Sequence, residues 1–107
     1  MILQSLTLEV STAQYENDKE LISSALEELQ SLCKATDGFL LGESVSKFGW
    51  TFFKILFKPQ LLFSIQDKFG DMIERSKGRK PEQKLTQFIS DFFESRGCKV
   101  RLKATEF

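Results

Sequence analysis

Most of the aromatic residues of this 107-residue chain lie in its middle third, and this clustering limits how the chain can fold. Seven of the eleven phenylalanines and the single tryptophan, Trp50, fall between residues 39 and 69. This stretch has more large apolar side chains than one amphipathic face can hold, and charged residues interrupt it too often for a membrane span of about 20 apolar residues. We therefore expect part of this aromatic surface to be buried by something outside the core of the monomer.

The overall composition is that of one small globular domain, which we assign to residues 1–107. Apolar residues make up 41% and charged residues 28% of the chain, which is ordinary for a folded protein. The 15 basic and 15 acidic residues cancel, so no overall positive field attracts nucleic acid, and we expect nucleic acid not to be a partner. The charges are unevenly placed, with a net −5 over residues 1–42 and +4 over residues 43–80. Such opposite charges suit the association of two chains.

Alternation and helical spacing predict the elements at the two ends of the chain. Residues 2–10 and 98–104 alternate apolar and polar side chains, which is typical of half-buried strands. Apolar residues at helical spacing predict one helix over residues 18–35, ended by Gly38, and another over residues 81–96.

The middle of the chain is predicted to contain two more helices. Ser44 is a candidate cap for a helix over residues 44–58, and Pro59 begins the next helix, within which Gly70 suggests a close approach of another backbone segment. The segment Phe39–Leu41 is either a short third strand or a buried connection. The predicted fold class is α+β in the order β-α-α-α-α-β, with the N- and C-terminal strands sharing a small sheet covered by helices. Because two strands alone make a marginal sheet, a third strand or another chain is needed to complete it.

The residue types that most enzymes need are missing or badly spaced, so we expect a protein without catalytic activity. The chain has no histidine, which removes the commonest general base and the commonest metal ligand. Cys33 and Cys98 lie on apolar faces and are expected to be buried hydrophobes, so neither a metal nor another cofactor is predicted. No signal peptide precedes the first strand, and a cytoplasmic location is therefore expected.

The predicted helix over residues 44–58 is the main candidate for a binding site. It combines a narrow lysine stripe with large apolar side chains around most of the remaining surface. Such a helix is a core helix, a protein-binding helix or a helix lying on a membrane surface. The candidate partner-binding residues on it are Trp50, Phe53, Phe57, Lys54 and Lys58.

Two further groups of basic residues stand out, and the first of them is a candidate for contact with anions. The segment RSKGRK is predicted to be a loop in which Arg75, Lys77, Arg79 and Lys80 contact an anion or a lipid head group. No aromatic residues are interleaved with these cations, as a platform for stacking bases requires. The last strand carries a second basic row on its polar face, formed by Lys99, Arg101 and Lys103.

The layout of the chain resembles that of a group of bacterial proteins. The tail FISDFFESRGCKVRLKAT, Phe88 to Thr105, is an amphipathic helix followed by an alternating strand. Together with the first strand, the acidic helix and the glycine-containing apolar middle, it resembles the small effector-associated components of bacterial conflict (anti-phage defence) systems. This resemblance implies an adaptor or sensor role beside a separate effector.

These observations predict a non-catalytic protein-interaction module, an adaptor or assembly subunit, that binds itself or a partner subunit through the aromatic-rich helix. A homo-oligomer is expected because the predicted sheet is narrow and the aromatic surface is in excess. The alternative is a peripheral membrane-binding protein that uses the helix over residues 44–58 and the basic loop over residues 75–80.

Overall fold

The computed structural model describes residues 3–105, which form an antiparallel sheet with helices packed on one side of it. The elements in chain order are β1 (Leu6–Thr12), α1 (Tyr15–Leu32), β2 (Phe39–Leu41), β3 (Val45–Lys47), β4 (Trp50–Phe57), α2 (Pro59–Lys68), α3 (Gly70–Arg75), α4 (Pro81–Ser95) and β5 (Arg101–Thr105). The predicted α+β fold is therefore confirmed. Residue 2, which the first predicted strand included, lies outside the described residues.

The first strand lies in the middle of the sheet. It pairs with β4 on one side and with β5 on the other, where Thr7 lies opposite Thr105. The prediction that the two terminal strands share a sheet is confirmed. On its far side β4 pairs with β2 and β3, which follow one another along this edge. This order, with helices after the first and fourth strands, is the split β-α-β arrangement found in ferredoxin-like folds, with three helices in the second crossover.

The prediction of a helix over residues 44–58 is wrong. These residues form β3, a two-residue turn and β4. Phe48 and Gly49 make the turn with φ of 54° and 82°, the two left-handed residues of a type I′ hairpin. The prediction failed because β4 is apolar on both of its faces, so its sequence shows no period that separates a strand from a helix. The open question about Phe39–Leu41 is also answered, since this segment is β2.

One hydrophobic core fills the space between the sheet and the helices. Its fully buried side chains include Leu8, Val10, Ile22, Leu26, Leu29, Ile55, Phe57, Leu61, Leu62, Ile65, Leu85, Ile89 and Phe93. Gly38 precedes β2 where a side chain would not fit, because an added Cβ atom would lie 2.5 Å from the Cβ atom of Leu61. The close approach expected at Gly70 is absent, since no heavy atom lies within 4 Å of an added Cβ atom there.

Candidate interaction surface

One face of the sheet points away from the helices, and no helix of residues 3–105 covers it. We call this surface the outer face. Four large apolar side chains remain accessible on it, namely Leu40, Val45, Trp50 and Leu56, with exposed fractions of 50%, 63%, 42% and 36%. An exposed cluster of this kind on a sheet marks a candidate binding site.

The apolar side chains of the outer face come from the half of the sheet formed by β2, β3 and β4. Residues paired across antiparallel strands share a face, so the cross-strand pairs map this surface directly. Leu40 lies opposite Leu56, and Val45 lies opposite Phe52. These side chains form an apolar strip along β4, with Trp50 at one end and with Lys54 between Phe52 and Leu56.

The other half of the outer face, on β1 and β5, is predominantly basic. Glu9 lies between Lys54 on β4 and Lys103 on β5. Arg101 reaches toward the apolar strip, because its guanidinium group lies 6.0 Å from the centre of the Trp50 ring. The basic row predicted for the last strand therefore has Arg101 and Lys103 on the outer face, beside the tryptophan.

The hairpin between β3 and β4 presents a second aromatic residue at its tip. Phe48 is 93% exposed, the highest fraction among the large apolar residues that the structure describes. A bulky side chain in the left-handed conformation is rare and costly. The two-residue turn holds Phe48 in place between Lys47 and Gly49, so the hairpin presents this aromatic ring next to the Trp50 end of the outer face.

The five predicted partner-binding residues do not form one surface. Trp50 and Lys54 lie together on the outer face, but Phe53 and Phe57 point to the opposite side and are buried, with exposed fractions of 3% and 1%. Lys58 follows β4 and forms an ion pair with Asp37 at 3.0 Å. The physical reason is that side chains alternate along a strand, whereas the helical spacing would have grouped them.

Several residues of the outer face were missed by the sequence analysis as binding residues. They are Leu40, Val45, Phe48, Phe52 and Leu56. A hairpin signal identifies those on β3, the turn and β4, because Phe48 and Gly49 separate the alternating residues Val45–Lys47 from the run WTFFKILF. Glycine at a turn flanked by β-branched and aromatic residues is a hairpin signature.

The cations predicted to form one basic loop are divided between two places. Arg75 is the last residue of α3, and together with Lys77 it borders a groove of about 840 Å³ between α3 and α4. The floor of this groove is apolar and contains Phe69, Phe88 and Phe92, with successive ring centres 5.2 and 6.5 Å apart.

The other two cations of this segment lie at the start of α4. Lys80 borders a cavity beside β5, and the backbone N–H of Arg79 donates to the Gln83 side chain at 2.9 Å. The anion-binding role proposed for the segment therefore divides between the α3–α4 groove and the β5 edge.

The thiols of this chain are held in their neutral form. Burial, and to a lesser extent the nearby Asp18 carboxylate, raise the pKa of Cys98 from its ordinary 9.0 to about 11. Burial also raises the pKa of Cys33, an effect that Lys68 partly opposes. A neutral thiol is a poor nucleophile, so neither cysteine is activated for catalysis at neutral pH.

Residues 3–105 contain no group of three or more cysteine, aspartate or glutamate side chains that could hold a metal ion. In the same part of the chain, no helix has both the length and the apolar content needed to cross a membrane. Comparisons of this chain with protein-family models, with curated protein sequences and with solved structures found no match.

Proposed function

We propose that this protein is a non-catalytic interaction module that binds a protein partner through the outer face, with Phe48 and Trp50 as the central contacts. The observation that carries this proposal is the position of Phe48. A left-handed conformation costs an L-residue about 1–2 kcal/mol, and an exposed ring regains none of it through the core. Contact of Phe48 with another chain would explain this strain, because strained backbone conformations are common at binding sites.

The chemistry of the outer face defines the partner. The apolar strip along β4 needs an apolar surface, and Trp50 is a residue type that often dominates binding energy. The surrounding cations need carboxylates, because Lys47, Lys54, Arg101 and Lys103 outnumber the single acid Glu9. The partner is therefore a protein surface that is apolar at its centre and acidic at its border.

A second copy of the chain offers part of this chemistry. Glu16, Glu20 and Glu27 are exposed along α1. These acids are complementary in charge to the basic half of the outer face of another copy, and this complementarity supports the proposal of a homo-oligomer. In a defence system of the kind that the sequence resembles, the same face would contact the effector.

Membrane binding is the second candidate function, now placed on the hairpin instead of on a helix. The amphipathic helix on which it first depended does not exist, but the exposed Phe48 and Trp50 lie beside Lys47 at the hairpin. Aromatic side chains next to a lysine are suited to the interface of an anionic bilayer. The area is small, which favours the protein partner.

Peptide selection tests the proposed function. Random peptides displayed on phage are selected against the full chain, and we expect the bound peptides to combine aliphatic or aromatic residues with Asp or Glu. The Phe48→Ser, Trp50→Ser double variant should bind them at least about ten-fold more weakly, the loss of about 1.4 kcal/mol or more typical of central contacts. Phe63→Ser is the matched control, because Phe63 is 43% exposed on α2 and lies away from the outer face.

Two results would contradict the proposal of a protein partner. Equal binding of the selected peptides by the double variant and the control would show that the outer face is not the binding surface. Cosedimentation with anionic vesicles that is lost in the double variant, together with peptides that bind independently of Phe48 and Trp50, would assign the hairpin to membranes.

A further inference from the structure

We infer that the free edge of β5 and the neighbouring side of α4 form a groove that binds an extended acidic peptide segment as an additional strand. This surface lies at the opposite edge of the sheet from the β3–β4 hairpin. It is therefore a second contact, although Lys103 borders both surfaces.

The groove consists of two cavities that follow one another along β5. The chain reverses between α4 and β5, so the end of the helix lies beside the start of the strand. The first cavity, of about 380 Å³, lies between Thr86–Ser90 and Leu102–Ala104, and the second, of about 580 Å³, includes Gln83 with Thr105. A peptide of about five residues would extend along β5, at about 3.3 Å per residue.

The backbone groups needed for strand addition are available on this edge. In an antiparallel pair, each residue directs both of its backbone groups to the same side, and successive residues alternate. The hydrogen bond from the Gly42 N–H to the Lys54 carbonyl, at 2.8 Å, fixes this alternation in β4. The registers of β4 with β1 and of β1 with β5 extend this alternation across the sheet. The backbone N–H and C=O groups of Lys103 are therefore directed toward β1. Leu102 and Ala104 therefore direct their N–H and C=O groups to the free edge.

The side chains beside these groups suit a half-buried strand. Leu102 and Ala104 belong to the inner face, yet both are only half-buried, because no further strand formed by residues 3–105 covers them. Thr86 and Ser90 on α4 form the opposite wall and are also half-buried. Alternate side chains of an added strand would pack against Leu102 and Ala104, while the others would point to the outer face.

The charge of the groove selects an acidic segment. Three cations line the two cavities, and none of them takes part in the ion pairs of residues 3–105: Lys77, Lys80 and Lys103. A single acid of the described residues, Glu82, lines the same cavities. Pairing with β5 of a second copy would place Lys103 and its neighbours close to the same cations, and the like charges would repel. The expected occupant is therefore a segment of a different protein.

A backbone-specific titration tests this inference. A seven-residue peptide that alternates Glu and Val is added to the ¹⁵N-labelled full chain, and the amide signals of Leu102 and Ala104 should shift and exchange more slowly with solvent. Ala104→Pro removes one edge donor and should lower the affinity about five-fold, the effect of one lost hydrogen bond. Ala104→Val retains the backbone N–H donor, and its side chain is close in size to that of proline. This variant should bind the peptide like the original chain.

A modified peptide gives a second, independent measurement on the unaltered protein. Methylation of the backbone nitrogens of either all Glu or all Val residues should abolish binding in one series and spare it in the other, because only alternate residues face β5. Equal binding by both series, or equal binding by a Lys-Val peptide, would overturn the inference. The Phe48→Ser, Trp50→Ser variant should bind the Glu-Val peptide normally. Loss of binding in that variant would show that the peptide binds to the outer face, and it would overturn the inference that the groove is the binding site.

Discussion

Phe48 has a backbone conformation that is unfavourable for an aromatic residue, and it lies at the exposed tip of the β3–β4 hairpin. It occupies the first of two left-handed positions in the hairpin, where asparagine and glycine are common because they tolerate a positive φ. The strain and the exposure of this side chain both lower the stability of the free protein. A requirement for binding is the simplest reason why an aromatic residue is found there.

Replacement of Phe48 should separate stability from binding. We expect Phe48→Asn to raise the free energy of unfolding by about 1 kcal/mol, since asparagine adopts the left-handed conformation more readily. The same variant should bind the partner of the outer face more weakly. Urea denaturation measures the first effect, and Phe48→Ala is the control, because alanine loses the ring without relieving the strain. A less stable Phe48→Asn variant would contradict the strain argument.

The raised pKa of Cys98 predicts that the protein loses stability at alkaline pH. Its pKa is about 11 in the folded protein and 9.0 when unperturbed, so the unfolded chain loses its proton first. Stability is therefore complete below pH 9 and decreases as the pH rises toward 11. A difference of one in pKa corresponds to about 1.4 kcal/mol, so the total loss is on the order of 2–3 kcal/mol.

Comparison with a variant isolates the effect of the thiol from other causes of alkaline unfolding. Cys98→Ala should be less stable at neutral pH because it leaves a small cavity, and its free energy of unfolding should fall less steeply between pH 9 and pH 11. Identical slopes in the two proteins would show that the thiol is not responsible.

At the scale of the elements, two glycines have opposite roles. An alanine at Gly38 would place its Cβ atom against Leu61 and force β2 away from α2, so Gly38→Ala should destabilise the protein by about 1–3 kcal/mol. Gly70 begins α3 in open space, so Gly70→Ala should stabilise the protein by about 0.5–1 kcal/mol. Thermal unfolding of both variants checks the pair, and a shift in the same direction would contradict the packing at Gly38.

The success of the sequence analysis depended on whether an element has one apolar face or two. β1, β5, α1 and α4 each bury one side, so their periods were visible in the sequence. β4 has Phe53 and Phe57 in the core and Trp50 and Leu56 on the outer face, and this removed the alternation by which a strand is recognised.

The same ambiguity determined how much of the candidate site was predicted. Trp50 and Lys54 were identified because an aromatic residue beside a lysine suggests binding in either secondary structure. Val45 was missed because a helix was predicted in place of the β3–β4 hairpin. Leu40 was missed because its exposure depends on the pairing of β2 with β4, which joins residues distant in the sequence. Strand pairing of this kind is not contained in local spacing.

At the scale of the whole molecule, the balanced charge conceals two surfaces of opposite sign. The acids of α1 and the cations of the outer face lie on different sides of the sheet, so two copies attract one another only in a head-to-tail arrangement. Such an arrangement would leave one surface of each sign free at its ends, so we expect larger assemblies to form as the concentration rises.

This arrangement predicts self-association that depends on salt. In sedimentation velocity experiments, the average mass should rise with protein concentration at low ionic strength and fall in 1 M salt, where charges are screened beyond about 3 Å. Glu20→Lys with Glu27→Lys should abolish the effect, whereas Glu43→Lys, at the β2–β3 edge, should not. A monomer of 12.3 kDa at every concentration would contradict the proposal of self-association.

The central position of β1 has a consequence for the synthesis of the protein. β1 precedes both of its neighbours in the chain, and β4 is complete only at Phe57 and β5 only at Thr105. A nascent chain that ends before β4 therefore exposes both edges of a strand containing Leu6, Leu8 and Val10, on which other nascent chains can pair. Ribosome pausing before residue 57 would lengthen this interval and lower the yield of folded protein, whereas pausing after that residue would leave only the β5 side of β1 unprotected.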